Sequence, residues 1–78
     1  MKVTITKPDG SVYDGEARLI QLPGCDGQFE MLENHAPIIA ALTKGTIRLI
    51  GSDDSQQLFE IRGGVLKSER NSVTILAQ

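Results

Sequence analysis

The sequence predicts an all-β domain, an antiparallel sandwich or barrel. Apolar and polar residues alternate in short runs such as Val3-Thr4-Ile5-Thr6 and Val73-Thr74-Ile75, which is the period of a strand with one face inward. Turn residues separate these runs about every eight to twelve positions, the spacing of a sandwich or barrel built from short strands. With 78 residues the chain has room for a single domain over 1–78 and one core, and at this size only about 60% of the unfolded surface is buried.

In chain order, residues 3–6 form a strand with Val3 and Ile5 on one face, and Lys7-Pro8-Asp9-Gly10 supplies a turn, because proline fixes φ and glycine permits the reversal. Residues 11–14 return as a short strand that Gly15 breaks, and residues 16–22 form a third strand with apolar residues on both faces. Pro23-Gly24 ends that strand and Cys25-Asp26-Gly27 makes a tight corner. Residues 28–32 pair as a strand with Phe29 and Met31 on one side and Gln28 and Glu30 on the other. Residues 38–42 are ambiguous: Asn34 is a good N-cap for a helical turn, while Ile38-Ile39 after Pro37 suits an extended chain. Residues 46–50, with Ile47 and Leu49 inward, and 57–62, with Phe59 and Ile61 inward, form a hairpin around the solvated loop 51–55. Gly63-Gly64 bends the chain, residues 65–69 give a strand, Arg70-Asn71 turns it, and residues 72–77 close the domain with Val73, Ile75 and Ala77 on one face.

Eight basic and ten acidic residues give a net charge of −2, with the cations scattered singly. That argues against nucleic acid as the partner, since phosphate binding needs a cationic patch. The single cysteine cannot form an internal disulfide, which points to a reducing compartment. No secretory signal is present, nor any apolar run near the roughly 18 residues of a membrane span, so the expected protein is soluble and reaches a membrane only through a partner.

Residues 22–45 hold the only His, the only Cys and two of the three prolines, and no Lys or Arg lies between Arg18 and Lys44, while Asp26, Glu30 and Glu33 do. Such a surface suits a basic or polar partner. Cys25 and His35 would make a nucleophile and base only if the fold joined them, with Asn34 or Asp26 as orienter; neither carries a recognisable flanking signature, and a lone cysteine is usually a small apolar filler. The more economical role for His35 is a hydrogen bond that fixes the loop before Pro37. Zinc is disfavoured because paired Cys or His spacing is missing. Gly24-Cys25-Asp26-Gly27 lacks the third glycine, the helix and the lysine of a phosphate loop. The residues thus describe a binding or structural domain rather than an enzyme, with no cofactor and no metal expected.

Pro8-Asp9-Gly10, the Leu22-Pro23-Gly24-x-x-Gly27 corner, Asn34-His35-Ala36-Pro37, Gly45-x-Ile47-Arg48, Gly63-Gly64 and the closing Ser72-Val73-Thr74-Ile75-Leu76-Ala77 together resemble the N-terminal domain of the epsilon subunit of F-type ATP synthases, equivalent to mitochondrial delta. The resemblance implies a flattened antiparallel sandwich of two roughly five-stranded sheets, with residues 38–42 extended and no C-terminal helical hairpin within these residues. It implies a non-catalytic part of the rotor stalk that fastens the gamma subunit to the ring of c subunits. The implied partners are gamma, facing Ile38, Ile39, Ala40 and Arg62, and the polar loops of the c-ring, facing Gln28, Phe29, Glu30, Met31 and His35. The implied location is peripheral, on the cytoplasmic face of a bacterial inner membrane, with no nucleotide expected in the absence of the C-terminal helices. Many members carry Glu where Gln28 stands and Gly where Glu30 stands; an acidic contact moved by two residues still faces the same way on a strand. The rival readings are a stand-alone β-sandwich adaptor and a small Cys-His hydrolase.

Overall fold

The computed structural model describes every residue, Met1–Gln78, as strands and turns with no helix. Two hairpins open the chain, β1 (Lys2–Lys7) with β2 (Gly10–Glu16) and β3 (Leu19–Gly24) with β4 (Gly27–Leu32). They are followed by β5 (Ile38–Leu42), β6 (Gly45–Ile50), β7 (Gln56–Ile61), β8 (Gly64–Glu69) and β9 (Ser72–Ala77). The nine strands run as one curled sheet in the order β2-β1-β9-β8-β5-β3-β6-β7, with β4 on β3. Only β1 and β9 pair in parallel. The β3–β5 junction is a single residue pair, Gly24 opposite Leu42, and there the sheet folds into a five-stranded layer, β2-β1-β9-β8-β5, and a four-stranded layer, β4-β3-β6-β7. The flattened two-layer sandwich that the resemblance implies measures 27 × 23 × 18 Å, and residues 38–42 are extended in it.

Alternation sets the core. Val3, Ile5, Leu66, Val73 and Ile75 from one layer meet Ile20, Leu22, Ile47 and Leu49 from the other, all nearly or wholly removed from water. The one buried polar side chain, Ser68, accepts the Ile38 N–H at 3.2 Å. Truncating a buried Ile or Leu to Ala in such a core costs about 2–5 kcal/mol.

Two features close the slab. At the fold-over, β5 runs into β6 and β7 into β8, each pair changing layer through a short bend. Gly64 sits in that bend at φ +156°, where an added Cβ would lie 2.4 Å from the Leu76 carbonyl oxygen; only glycine fits. On the β2/β7 side the Tyr13 and Phe59 rings pack with centroids 5.6 Å apart, and Lys7 Nζ donates to the Glu60 carbonyl at 2.9 Å. At the opposite end from the fold-over, the Met1 ammonium donates to the Ala17 carbonyl at 2.9 Å and to Glu33 Oε1 at 2.8 Å, with the Met1 side chain in the core.

Three boundaries depart from the sequence expectation by more than a residue or in kind, while the other strand ends fall within one residue of it. Gly15 does not break β2, which runs on to Glu16, because Lys2 and Val3 at the start of β1 pair with Glu16 and Gly15. The third strand therefore begins at Leu19, not at residue 16. Pro23-Gly24 does not end it either: both residues pair with Gln28 and Gly27, and Cys25-Asp26 alone makes the turn. The Arg70-Asn71 turn has positive φ at both residues, 51° and 59°, as a two-residue hairpin with the strand twist requires. In loop 51–55, Asp54 Oδ1 takes the Arg18 guanidinium at 2.7 Å, and Asp53 Oδ1 accepts the Ser55 hydroxyl at 2.7 Å and its N–H at 3.1 Å.

Gly64→Ala is expected to lower the urea midpoint far more than Gly10→Ala, which meets no neighbour despite its positive φ; the second change should cost about 1 kcal/mol, the backbone term alone. Equal losses would show that the fold-over tolerates a side chain. The Ser55 hydroxyl and N–H hold the Asp53 carboxyl below the usual carboxylate range. A depressed acid contributes stability above its unfolded pKa and loses it as pH falls through the folded pKa. Ser55→Ala should therefore raise the Asp53 pKa in an NMR titration, and any stability difference from the parent chain should be present at neutral pH and vanish in acid.

Candidate functional site

The 22–45 stretch folds into one lateral side of the slab. β4 is the outer strand of the four-stranded layer, and β5 is the outer strand of the five-stranded layer. The hairpin turn at Cys25-Asp26 reaches from one to the other: Cys25 N–H donates to the Ala41 carbonyl at 3.0 Å, and Thr43 N–H to the Pro23 carbonyl at 2.8 Å. Between β4 and β5 lies an open groove of about 430 Å³, with residues 24–29 on one bank and 38–41 on the other. A smaller hollow of about 290 Å³ continues it past residues 29–33 to His35, Ala36 and Ile38. The far side of the slab is closed by Tyr13 and Phe59; this side carries Phe29 half-buried and Ile39 75% exposed.

The structure joins some of the expected residues and separates others. Gln28 and Glu30 are both exposed and share one face of β4, so a carboxylate two positions along does point the same way. Phe29 and Met31 alternate inward; Met31 is only 4% exposed and packs in the core, so it supports this strand from below and presents no side chain to a partner. His35 lies along the same hollow as Phe29, Glu30 and Met31. Its Nδ1 is 3.2 Å from the neighbouring Ala36 carbonyl, while Nε2 is buried with no partner. The loop is fixed as well by Asn71 Oδ1, which accepts the Asn34 N–H at 2.7 Å, and by the Glu33 contact to Met1, long-range pairings that no local motif announces. Ile38, Ile39 and Ala40 line the same groove as Gln28 and Phe29, which puts residues expected to meet two different partners on one opening. Arg62 is elsewhere, beside Lys7, Lys44 and Glu60 at the fold-over end.

Cys25 and His35 do not form a catalytic pair here. Cys25 sits in the turn before β4 and His35 beyond its other end, and the six residues of β4 span about 17 Å. The groove that Cys25 lines does not include His35. No three His, Cys, Asp or Glu side chains gather to hold a metal ion, and no helix is long and apolar enough to cross a membrane.

Sequence reasoning missed a set of outward apolar side chains, because alternation marks them only as lapses. Val65 and Leu76 are neighbours across β8 and β9 and are 47% and 59% exposed. Leu32 and Leu58 are likewise exposed on the other layer.

Comparison with known proteins covers the whole chain. The family model for the β-sandwich domain of the ATP synthase delta/epsilon chain matches residues 1–78. The chain is 36% identical over 77 residues to the ATP synthase epsilon chain of Chlorobium limicola, covering 99% of this chain and 88% of that one. It is 37% identical over 78 residues to the epsilon chain of Campylobacter lari, covering all of this chain but 60% of that relative. Among solved structures, a chain of the Euglena gracilis mitochondrial ATP synthase superposes with a TM-score of 0.90 at 19% identity, over 96% of this chain and 48% of that one. A chain of the Tetrahymena thermophila mitochondrial ATP synthase central stalk and c-ring gives 0.82 at 14% identity, over 100% and 63%. At such identities these likenesses speak to the fold.

Cys25 is exposed and nothing in the core depends on it. Its alkylation by iodoacetamide in the folded chain is expected to run at nearly the rate found in urea, and Cys25→Ser to leave the unfolding midpoint unchanged. Strong protection in the folded chain would put the thiol under a cover that the structure does not have.

Proposed function

The chain belongs to the ATP synthase delta/epsilon β-sandwich family, and from that premise we propose that it serves as a non-catalytic part of the rotor stalk, fastening the gamma subunit to the c-ring. The observation that carries this reading is the family match over residues 1–78, met by a body suited to the task. A two-layer slab with a close-packed interior transmits torque without shearing. Its outer surfaces keep apolar side chains for contact: Ile39, Val65 and Leu76 on one layer, Leu32 and Leu58 on the other.

In this reading gamma lies against residues 38–40, and the exposed side chains of Gln28 and Glu30 face the polar loops of the ring. Asp26 and Glu30 have no ion-pair partner within the chain, which fits a ring loop or stalk segment that brings a cation. Phe29 and Met31 contribute by holding β4 in place, and His35 by shaping the hollow beside it. The work is done at the cytoplasmic face of the membrane that carries the complex, peripherally, and the bond-making steps of ATP synthesis belong to other subunits.

The test is reconstitution with the gamma subunit from the same source. The purified chain is expected to form a one-to-one complex with gamma by analytical ultracentrifugation and to hydrolyse no ATP by itself. Ile39→Asp, at a largely exposed position, should leave the thermal midpoint within a few degrees and weaken gamma binding about tenfold or more, as loss of a contact anchor does. A parent chain that binds no gamma removes the reading; an Ile39→Asp chain that binds normally removes residue 39 from the contact.

A further inference from the structure

The β4 edge is open in a way that the rest of the slab is not. Pro23 stands opposite Gln28 and has no N–H, while its carbonyl is taken by Thr43 on the other side of β3. The Pro23–Gln28 pair is therefore a non-hydrogen-bonded position. Such pairs alternate along an antiparallel ladder, so Phe29 and Met31 turn their backbone groups toward β3, and Gln28, Glu30 and Leu32 turn theirs outward. No strand lies beyond β4. On the facing bank the Ala41 carbonyl points away from β8 to receive Cys25 N–H, which by the same alternation turns the backbone groups of Ile39 outward as well.

Three properties thus meet in one groove: free strand edges along both banks, an apolar lining from Phe29 and Ile38, and lining charges that are all acidic, Asp26 in the groove and Glu30 and Glu33 in the hollow that continues it. The opposite side of the slab has edge strands too, β2 and β7, but there Tyr13 and Phe59 fill the opening. An exposed edge above an unfilled apolar groove accepts an extended peptide by strand addition, with main-chain hydrogen bonds giving affinity and alternate side chains entering the groove.

We propose that the β4 edge is a strand-acceptor slot for an extended segment of gamma that carries apolar side chains alternating with Lys or Arg. The segment pairs antiparallel or parallel with residues 28–32, a length of about 13 Å, sends apolar side chains over Phe29 and Ile38, and sets its cations near Asp26 and Glu30. This rests on the stalk reading above and goes beyond it by naming the mode of attachment. It moves the β4 edge and the Asp26 and Glu30 carboxylates from the ring, where the stalk reading above placed Glu30, to gamma, and leaves the ring the Gln28 side chain on the outer face.

The experiment is amide hydrogen exchange on the parent chain, alone and in complex with purified gamma, together with gamma affinities for Glu30→Ala and Glu30→Pro. Proline is tolerated on an edge where the lost N–H faced outward, and the alanine chain separates the carboxylate from the backbone donor. The expected result is slowed exchange at the Gln28, Glu30 and Leu32 amides on binding, a loss of about threefold in affinity for Glu30→Ala, and a loss of about tenfold or more beyond that for Glu30→Pro. If Glu30→Pro fails to fold, the exchange pattern of the parent chain decides alone. Gamma binding with those three amides unprotected overturns the slot and leaves the stalk reading standing. Protection that appears only when the c-ring is added, or that appears without gamma as the chain is concentrated, overturns it in favour of the ring or of a second copy. A chain that binds no gamma brings down the stalk reading and the slot with it.

Discussion

The backbone at Gly64 passes so near the Leu76 carbonyl that no side chain fits between them, and the two-layer form of the molecule depends on that passage. Here β7 becomes β8 while β5 becomes β6 beside it, so one curled sheet doubles over and its two inward faces meet. Without the doubling the strands would still pair locally, but a single layer of short strands has nothing on which to bury its apolar face. The neighbouring chain end helps to hold the bend: Arg62 N–H donates to the Gln78 carbonyl at 2.7 Å, and Gln78 N–H to the Gly63 carbonyl at 3.0 Å.

Once the sheet doubles, its two lateral sides become different surfaces made from the same kind of strand. Tyr13 and Phe59 meet across one side and exclude water from the core margin. Across the other, the β3–β4 turn touches β5 at one end only, and the groove between them stays open. A body that attaches to neighbours gains from this asymmetry, since the closed side supplies stiffness and the open side supplies contact. The Met1 ammonium bond to Glu33 and the Asn34–Asn71 hydrogen bond pin the start of the 33–37 loop, so the open side is firm rather than loose. A preformed edge of this kind spares a partner segment part of the ordering cost of binding.

Much of the fold was legible in the residues. Val3 and Ile5, Ile47 and Leu49, and Val73, Ile75 and Ala77 alternate cleanly, and each set is inward in the structure. Pro8-Asp9-Gly10, Arg70-Asn71 and Gly63-Gly64 mark reversals or bends because proline pre-sets φ for a turn while glycine and asparagine accept positive φ that other residues resist. The misplaced boundaries share one cause. Gly15 and Pro23 are poor strand residues by local preference, yet both stay in strands because a partner strand is already registered against them, Val3 for one and Gln28 for the other. Pairing across the sheet outweighs a local preference of about 1 kcal/mol. The 38–42 ambiguity was of the same kind, settled by β8 running alongside.

The candidate site divides along the same line. That residues 19–43 hold acids and no cation is a property of the sequence alone, and so is the inward and outward alternation along β4, because both follow from composition and a period of two. That Met31 is core while Gln28 and Glu30 are surface follows once β4 has a layer behind it. Which strand edge has no neighbour, which groups point from it into solvent, and that Ile38 stands across from Phe29 were decided only by the tertiary structure. Alternation records which face a residue takes; it says nothing about which strand lies beside it, since pairing joins residues far apart in the chain and an unpaired edge is a property of the assembled sheet.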